Sequence, residues 1–364
     1  MNRRSSILRL AAKFRLQGEQ VDTIKAGVYR VTSAKGAYCL KRMRYSAARI
    51  RWIDTTLHAL QQQGFSHIAW RDREEETGRT LMAKSKQNIP FILTPWLSGR
   101  QPSVNSRDDL IACARRLAEF HRAGQGIELS DTGGQNLIGK WPKLLQKKRD
   151  SLAKAVRKAS HLTAGSTTGS SPASNSLAQV QSGHPRLDKT DANRWAHLLR
   201  QHGSDLLDRA DSALTELENS SYRTLCRQAA RQGVLCHGDS GPKNFVITAQ
   251  GPALIDFETL RIDLPIYDLF RMVRLACKGK GWSFDTARHI LDGYNQVTEL
   301  KPIDYQLLRV WLLFPHKACK LLAKCDFHKP SERTRFAHDL ERAIRDERHL
   351  QEFLNDYDEY VNGR

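Results

Sequence analysis

The stretch from Val234 to Asp268, VLCHGDSGPKNFVITAQGPALIDFETLRIDLPIYD, constrains this chain more than any other. Two short apolar runs, residues 233–236 and 253–255, read as strands, and each ends on a polar cluster. The first cluster is His237-Gly238-Asp239, with Asn244 five residues past the aspartate; the second is Asp256-Phe257-Glu258. Asp239 and Asp256 are 17 residues apart, room for a loop and a hairpin that bring both carboxylates to one point. A third acid, Asp268, opens an apolar helical pattern, where it reads as an N-cap. Turns capped by Asp and Asn would explain HGD alone. HGDxxxxN together with IDFE at this spacing makes that explanation the weaker one.

Phosphoryl transfer from ATP needs these parts. A carboxylate such as Asp239 can orient a substrate hydroxyl and take its proton. Asn244 and Asp256 offer a neutral and an anionic oxygen to Mg²⁺, a hard cation that prefers oxygen. In protein kinases the same roles fall to the catalytic-loop Asp, the Asn five residues on and the Asp of DFG. Upstream, residues 28–32 alternate with period two, residues 33–36 form a turn, and residues 37–41 read as the return strand ending on Lys41. Lys41 thus ends an apolar strand right after a hairpin, as the phosphate-pairing lysine of kinases does, with a solvated strand end as the alternative. Gly27 stands alone where a glycine-rich loop would be. The helical pattern over residues 46–63 contains no Glu to pair with that lysine; Asp54 is its only acid and reads as a surface acid, with pairing to Lys41 as the alternative. Residues 89–100 read as a strand connecting two lobes, in which Trp96 and Leu97 line an adenine pocket or pack the lobes together.

Elsewhere the chain reads as helices. Ser106 caps one that carries Asp108 and Asp109 in its first turn and His121, a packed histidine, near its end. Residues 140–158 are basic and helical, either a solvated face or a dock for an acidic partner. Residues 162–185 are rich in Ser, Thr, Gly, Ala and Asn and read as a disordered insertion. The helical pattern from Asp191 to Arg231 breaks near Asn219, and further helices are expected over 269–278, 284–297, 305–324 and 335–360. No apolar run is long enough to span a bilayer, and Arg9 and Lys13 interrupt the N-terminal apolar stretch, against a secretory signal. Seven cysteines without CxxC pairing suit reduced core thiols in a cytosolic compartment. The net charge of +19 suits an acidic partner, but no zinc-ligand spacing or aromatic-interleaved basic motif points to specific nucleic-acid binding.

HGDSGPKN…IDFE resembles the catalytic segment of the aminoglycoside phosphotransferase and choline kinase branch of the kinase-like fold, and LAEFH at 117–121 is similar to a helix of that branch. YRVTSAKGAYCLKR, LCHGDSGPKNF, LIDFETLRIDLPIYDLFRMVR and WLLFPHKACKL together resemble the CotS-type spore coat proteins, kinase-like proteins of endospore-forming bacteria. The resemblance implies an α+β, bilobal protein kinase-like fold. A small β-rich N-lobe over 1–97 would carry the nucleotide-binding strands, and a larger, mostly helical C-lobe over 98–364 the catalytic loop. It implies ATP and Mg²⁺ as cofactors, catalytic roles for Asp239, Asn244 and Asp256, metal binding by Asn244 and Asp256, and nucleotide contacts from Lys41, Gly27, Trp96 and Leu97. It also implies a hydroxyl acceptor, other coat proteins as partners, and synthesis in the mother-cell cytoplasm before deposition on the spore. A coat scaffold that keeps the fold without catalysis is the alternative.

Overall fold

The computed structural model describes residues 3–71, 80–127, 135–162, 194–278 and 280–363. The expected insertion at 162–185 lies, beyond Leu162, outside the described residues. The chain forms two compact units. The first comprises residues 1–138, 223–277 and 283–304; the second comprises 139–222, 278–282 and 305–364. The compact units do not part at 97/98; the first joins the expected nucleotide-binding strands to the catalytic segment.

The first unit opens with helix α1 (Arg3–Ala12), followed by strands β1 (Gly18–Lys25), β2 (Val28–Ser33) and β3 (Gly36–Arg42). Helix α2 (Ala47–Gln62) and strands β4 (Ala83–Lys84) and β5 (Pro90–Pro95) come next. The five strands pair antiparallel in the order β1-β2-β3-β5-β4. Alternation along β2 buries Tyr29 and Val31, and Leu40, Phe91 and Leu93 join them from β3 and β5. Ile7, Leu10 and Ala11 of α1, with Phe14 and Leu16 after it, cover this face, each large side chain contributing about 1.5–3 kcal/mol by leaving water. Between α2 and β5 Ile68 makes a single bridge to Leu254, and Ala83 and Lys84 form the two-residue β4.

Helix α3 (Arg107–Ala123) begins as its cap predicts, with Ser106 Oγ accepting from the Asp109 amide. Downstream come α4 (Trp141–His161), α5 (Arg194–Glu218), α6 (Tyr222–Gln232), the hairpin β6 (Phe245–Thr248) and β7 (Gly251–Leu254), and α7 (Ile266–Cys277). The chain closes with α8 (Phe284–Asn295), α9 (Pro302–Leu313), α10 (His316–Leu322), α11 (Pro330–Asp346) and α12 (Leu350–Asn362). Two long helical patterns are thus split, the first at Pro315, where proline removes an amide donor. Within the first unit α3 and α8 approach so closely that a Cβ on Gly293 would sit 2.7 Å from the Ile111 carbonyl. Within the second unit Trp141 stacks on Tyr222 and meets Trp311 edge-on, both at 5.0 Å between ring centroids. Arg309 there joins Glu216 of α5 to Asp358 of α12.

Candidate active site

All the expected site residues lie in the first unit. The loop from His237 to Asn244 is held from beneath. Cys236 and Arg261 exchange two backbone hydrogen bonds at 2.8 Å, which joins the entry of the loop to the segment after IDFE. Asp268, fully buried, accepts from the His237 amide at 2.6 Å and the Gly238 amide at 2.8 Å. It also meets His121 Nε2 at 3.1 Å, and His121 Nδ1 lies 2.8 Å from the Tyr294 hydroxyl. Burial pushes the Asp268 carboxyl up, but the hydrogen bond and charge of His121, with His237 and Arg261, pull harder and hold it below the usual carboxylate range. Asp268 therefore braces the loop. It is not an N-cap, because α7 starts two residues earlier, at Ile266. His121 is a packed histidine, as read from the sequence.

Gly238 has φ +83°, and a Cβ there would lie 2.2 Å from the Thr259 carbonyl oxygen, so the turn requires glycine. The His237 ring lies 2.9 Å through Nε2 from the Ile255 carbonyl and accepts the Asp239 amide on Nδ1, which assigns its proton to Nε2. Asn244 donates from its amide nitrogen to the Asp239 carbonyl at 2.5 Å, leaving its side-chain oxygen uncommitted among the described residues. The Ile255 amide donates to the Asn244 carbonyl at 3.0 Å, which ties the two polar clusters together. The Asp239 carboxylate, partly exposed, is contacted by the Arg271 guanidinium from α7.

Lys41 reaches the second cluster. Its ammonium lies 2.5 Å from Asp256 Oδ1 and 2.9 Å from Glu258 Oε1. Burial works against the charged ammonium, but the two carboxylates overcome it and raise Lys41 above the usual lysine range. Asp256 sits in the left-handed region (φ +69°), which Asp tolerates better than most residues, and the short 3₁₀ turn Phe257–Thr259 follows it. This kink turns Glu258 back beside Asp256, toward the lysine. Asp54, by contrast, is neither a surface acid nor the partner of Lys41. It is buried, accepts from Arg71 Nε and Nη2 at 2.8 and 2.9 Å and from the Trp70 indole at 3.0 Å, and is held below the usual carboxylate range despite its burial. Helix α2 serves the site through Arg49 instead, whose Nη2 donates to the Leu260 carbonyl and, at 3.4 Å, to that of Glu258.

A cavity of about 460 Å³ adjoins these groups. Trp96 and Leu97 line it, with Cys39, Thr94, Val246 and Ile255, and so do Lys41, Asn244 and Asp256. The Arg30 guanidinium lies 5.3 Å from the centre of a Trp96 ring. Gly27 is not among these lining residues. It forms the β1–β2 turn at φ +82°, accepts the Arg42 amide at 2.7 Å, and borders a second cavity. His121, Cys236 and Asp268 bring ligand-type atoms within 4.8 Å of one another, but each is committed. His121 and Asp268 bond each other, while the Cys236 thiol donates to the Asp263 carbonyl and is pushed well up by burial, so it stays protonated. Sequence reasoning missed three functional side chains: Glu258, Arg49 and Arg271. Glu258 stands in the IDFE cluster itself, but nothing in the sequence signals the reach of the two arginines.

An antiparallel sheet carrying a lysine onto the acids of a loop-and-hairpin segment is the arrangement of a kinase-like phosphotransferase. The model of the family described as "Phosphotransferase enzyme family" matches residues 23–309, and the chain belongs to that family. Spore coat protein S of Bacillus subtilis is a relative, 22% identical over 297 residues that cover 81% of this chain and 75% of the relative. Among solved structures, an aminoglycoside phosphotransferase from Alicyclobacillus acidocaldarius superposes with a TM-score of 0.70 at 18% identity, covering 98% of this chain and 96% of that one. A spectinomycin phosphotransferase, solved with ADP and spectinomycin, gives a TM-score of 0.61 at 11% identity, covering 93% and 94%. The fold is therefore the α+β kinase-like one, with a five-stranded antiparallel sheet in the N-terminal part and a mostly helical remainder.

Proposed function

We propose that the chain is an ATP- and Mg²⁺-dependent phosphotransferase acting on a hydroxyl acceptor, with residues 1–97 as the nucleotide-binding lobe and 98–364 as the lobe that carries the catalytic loop. The observation that carries this reading is that Lys41, Asn244 and Asp256 line one cavity together with Trp96 and Leu97. The solved spectinomycin phosphotransferase with ADP supports nucleotide use by this fold. Trp96 and Leu97 would flank the base, Lys41 would hold the phosphates, and Gly27 would keep the β1–β2 turn tight beside them.

Asn244 and Asp256 fit a magnesium ion. Asn244 keeps its oxygen uncommitted, and the Asp256 oxygen not paired with Lys41 has no other partner among the described residues; both are hard donors. The ion, when bound, would offset charge developing on the phosphates. Asp239 would accept the acceptor's proton as its oxygen bonds to the γ-phosphorus and the bond to the β-phosphate oxygen breaks, releasing ADP. Arg271 would fix the rotamer of that carboxylate. A second reading, a coat scaffold without turnover, is favoured by the missing helix glutamate and by the likeness to Spore coat protein S. That likeness also supports the spore coat as the site of deposition after synthesis in the mother cell, with other coat proteins as partners. Among the described residues, no helix is long and apolar enough to cross a membrane.

Calorimetric titration of ATP with and without Mg²⁺, followed by phosphate transfer to candidate acceptors, separates the readings. Asp239→Asn is expected to lower turnover about 10²–10⁴-fold with nucleotide affinity nearly unchanged. Asp256→Asn is expected to weaken the Mg²⁺-dependent part of binding as well. A wild type that binds no nucleotide at millimolar concentrations would leave the scaffold.

A further inference from the structure

The second cavity, about 790 Å³, opens between α1, the outer face of the sheet and the β4–β5 turn. Its floor is apolar: Ile7 and Leu10 of α1 face Tyr29, Ile89 and Phe91. Its rim is cationic. Arg9 comes from α1 and Lys13 from just after it, Arg42 ends β3 and Arg44 follows it, and Lys84 ends β4 with Lys86 in the turn to β5. None of the six borders the nucleotide-type cavity. Among the described residues, the acids lining the basic cavity are Asp256 and Glu258, and both pair with Lys41. Lys13 donates to the Lys84 carbonyl at 2.8 Å, yet no carboxylate pairs with any of the six among the described residues. Like charges that line one cavity repel one another, the less so the more salt screens them, and an anion relieves that repulsion.

We propose that this cavity is a binding site for a small polyanion: a carbon skeleton that rests on the apolar floor and carries several phosphate or carboxylate groups for the rim. The volume is that of a small-molecule site, for which about 300–1,000 Å³ is usual. Arg9, Arg42 and Arg44 supply forked donors suited to two-point contact with oxyanions, and the lysines supply point charges. The cavity meets the nucleotide-type one at Lys25, Val28, Lys41, Asp256 and Glu258, but its six rim cations are assigned no role in the proposed catalysis.

The test is isothermal titration of the full chain with inorganic tripolyphosphate and, separately, with citrate at physiological salt; the pair distinguishes phosphate-rich from carboxylate-rich ligands. The triple variant Arg9→Gln, Lys84→Gln, Lys86→Gln removes three rim charges. At least one probe is expected to bind the wild type at a single site, and binding is expected to fall about tenfold or more in the triple variant. Without the probe, the variant's melting temperature is expected to stay within about 2 °C of the wild type. The double variant Arg44→Gln, Lys86→Gln repeats the measurement from the other side of the rim, should the triple variant fold poorly. Failure of both probes to bind the wild type would overturn the proposal. So would equal binding by wild type and variants, which would place the anion elsewhere, the nucleotide-type cavity included.

Discussion

Replacing Asp268 by Asn tests whether one buried carboxylate holds the catalytic loop. Asp268 Oδ2 accepts from the His237 amide and pairs with His121, while Oδ1 accepts from the Gly238 amide. An asparagine has the same shape but one oxygen. With that oxygen in the Oδ2 position, its NH₂ faces the Gly238 N–H; in the Oδ1 position, it faces the His237 N–H and the His121 ring. Either way at least one buried donor is orphaned, at about 1–3 kcal/mol, and the surviving bonds lose the strength that an ionised acceptor gives them. A total of about 2–4 kcal/mol follows. At about 2–4 °C per kcal/mol for a unit of this size, the melting temperature should fall by roughly 4–16 °C. The pH dependence carries a sign. Asp268 is held below the usual carboxylate range, so its stabilisation is complete above the ordinary aspartate pKa and is lost as pH falls through the depressed folded value. The gap between wild type and variant should therefore be steady from neutral pH down to about 4 and close only in stronger acid. Thermal unfolding from pH 7 to 3 measures both. A variant that melts within about 2 °C of the wild type at pH 7 would show that the loop is held by something else.

Gly238→Ala should be more damaging than its size suggests: the left-handed backbone and the approach to the Thr259 carbonyl at 2.2 Å together cost roughly 2–5 kcal/mol, read as a large fall in melting temperature. Glu258→Gln should leave Lys41 with Asp256 alone and weaken ATP binding about three- to tenfold in calorimetry, whereas Asp54→Asn should lower stability without changing ATP affinity. Equal effects of these two changes on affinity would remove Glu258 from its place beside the lysine.

Much of the fold could be read from the chain. The alternation of residues 28–41 specifies a hairpin ending on Lys41, and Ser106 with two acids behind it specifies a helix start. The spacing of Asp239, Asn244 and Asp256 specifies a loop closed by a short hairpin. The pairing of Lys41 with both Asp256 and Glu258 was not legible, because it depends on how the chain turns after β7. Glu258 comes beside Lys41 after a left-handed residue, Asp256, and no local pattern signals that turn at an aspartate. Asp54 misled for the complementary reason. Helical spacing gives the face of a side chain, but the Arg71 and Trp70 that claim Asp54 come from irregular chain beyond the helix. Helix α1 escaped notice because its apolar residues find their partners only on the sheet that follows.

Cysteine chemistry at the nucleotide-type cavity follows from where the seven thiols lie. All are free; Cys113, Cys226, Cys236, Cys277 and Cys319 are buried, and only Cys39 and Cys325 are partly exposed. Cys39 lines the cavity beside Lys41 and Thr94, its thiol pushed up chiefly by burial. Once Cys325 is replaced by serine, one addressable sulfur remains, and it faces the space a ligand would fill. Its rate of alkylation becomes a clock for occupancy of that space, readable without turnover and without knowledge of the acceptor.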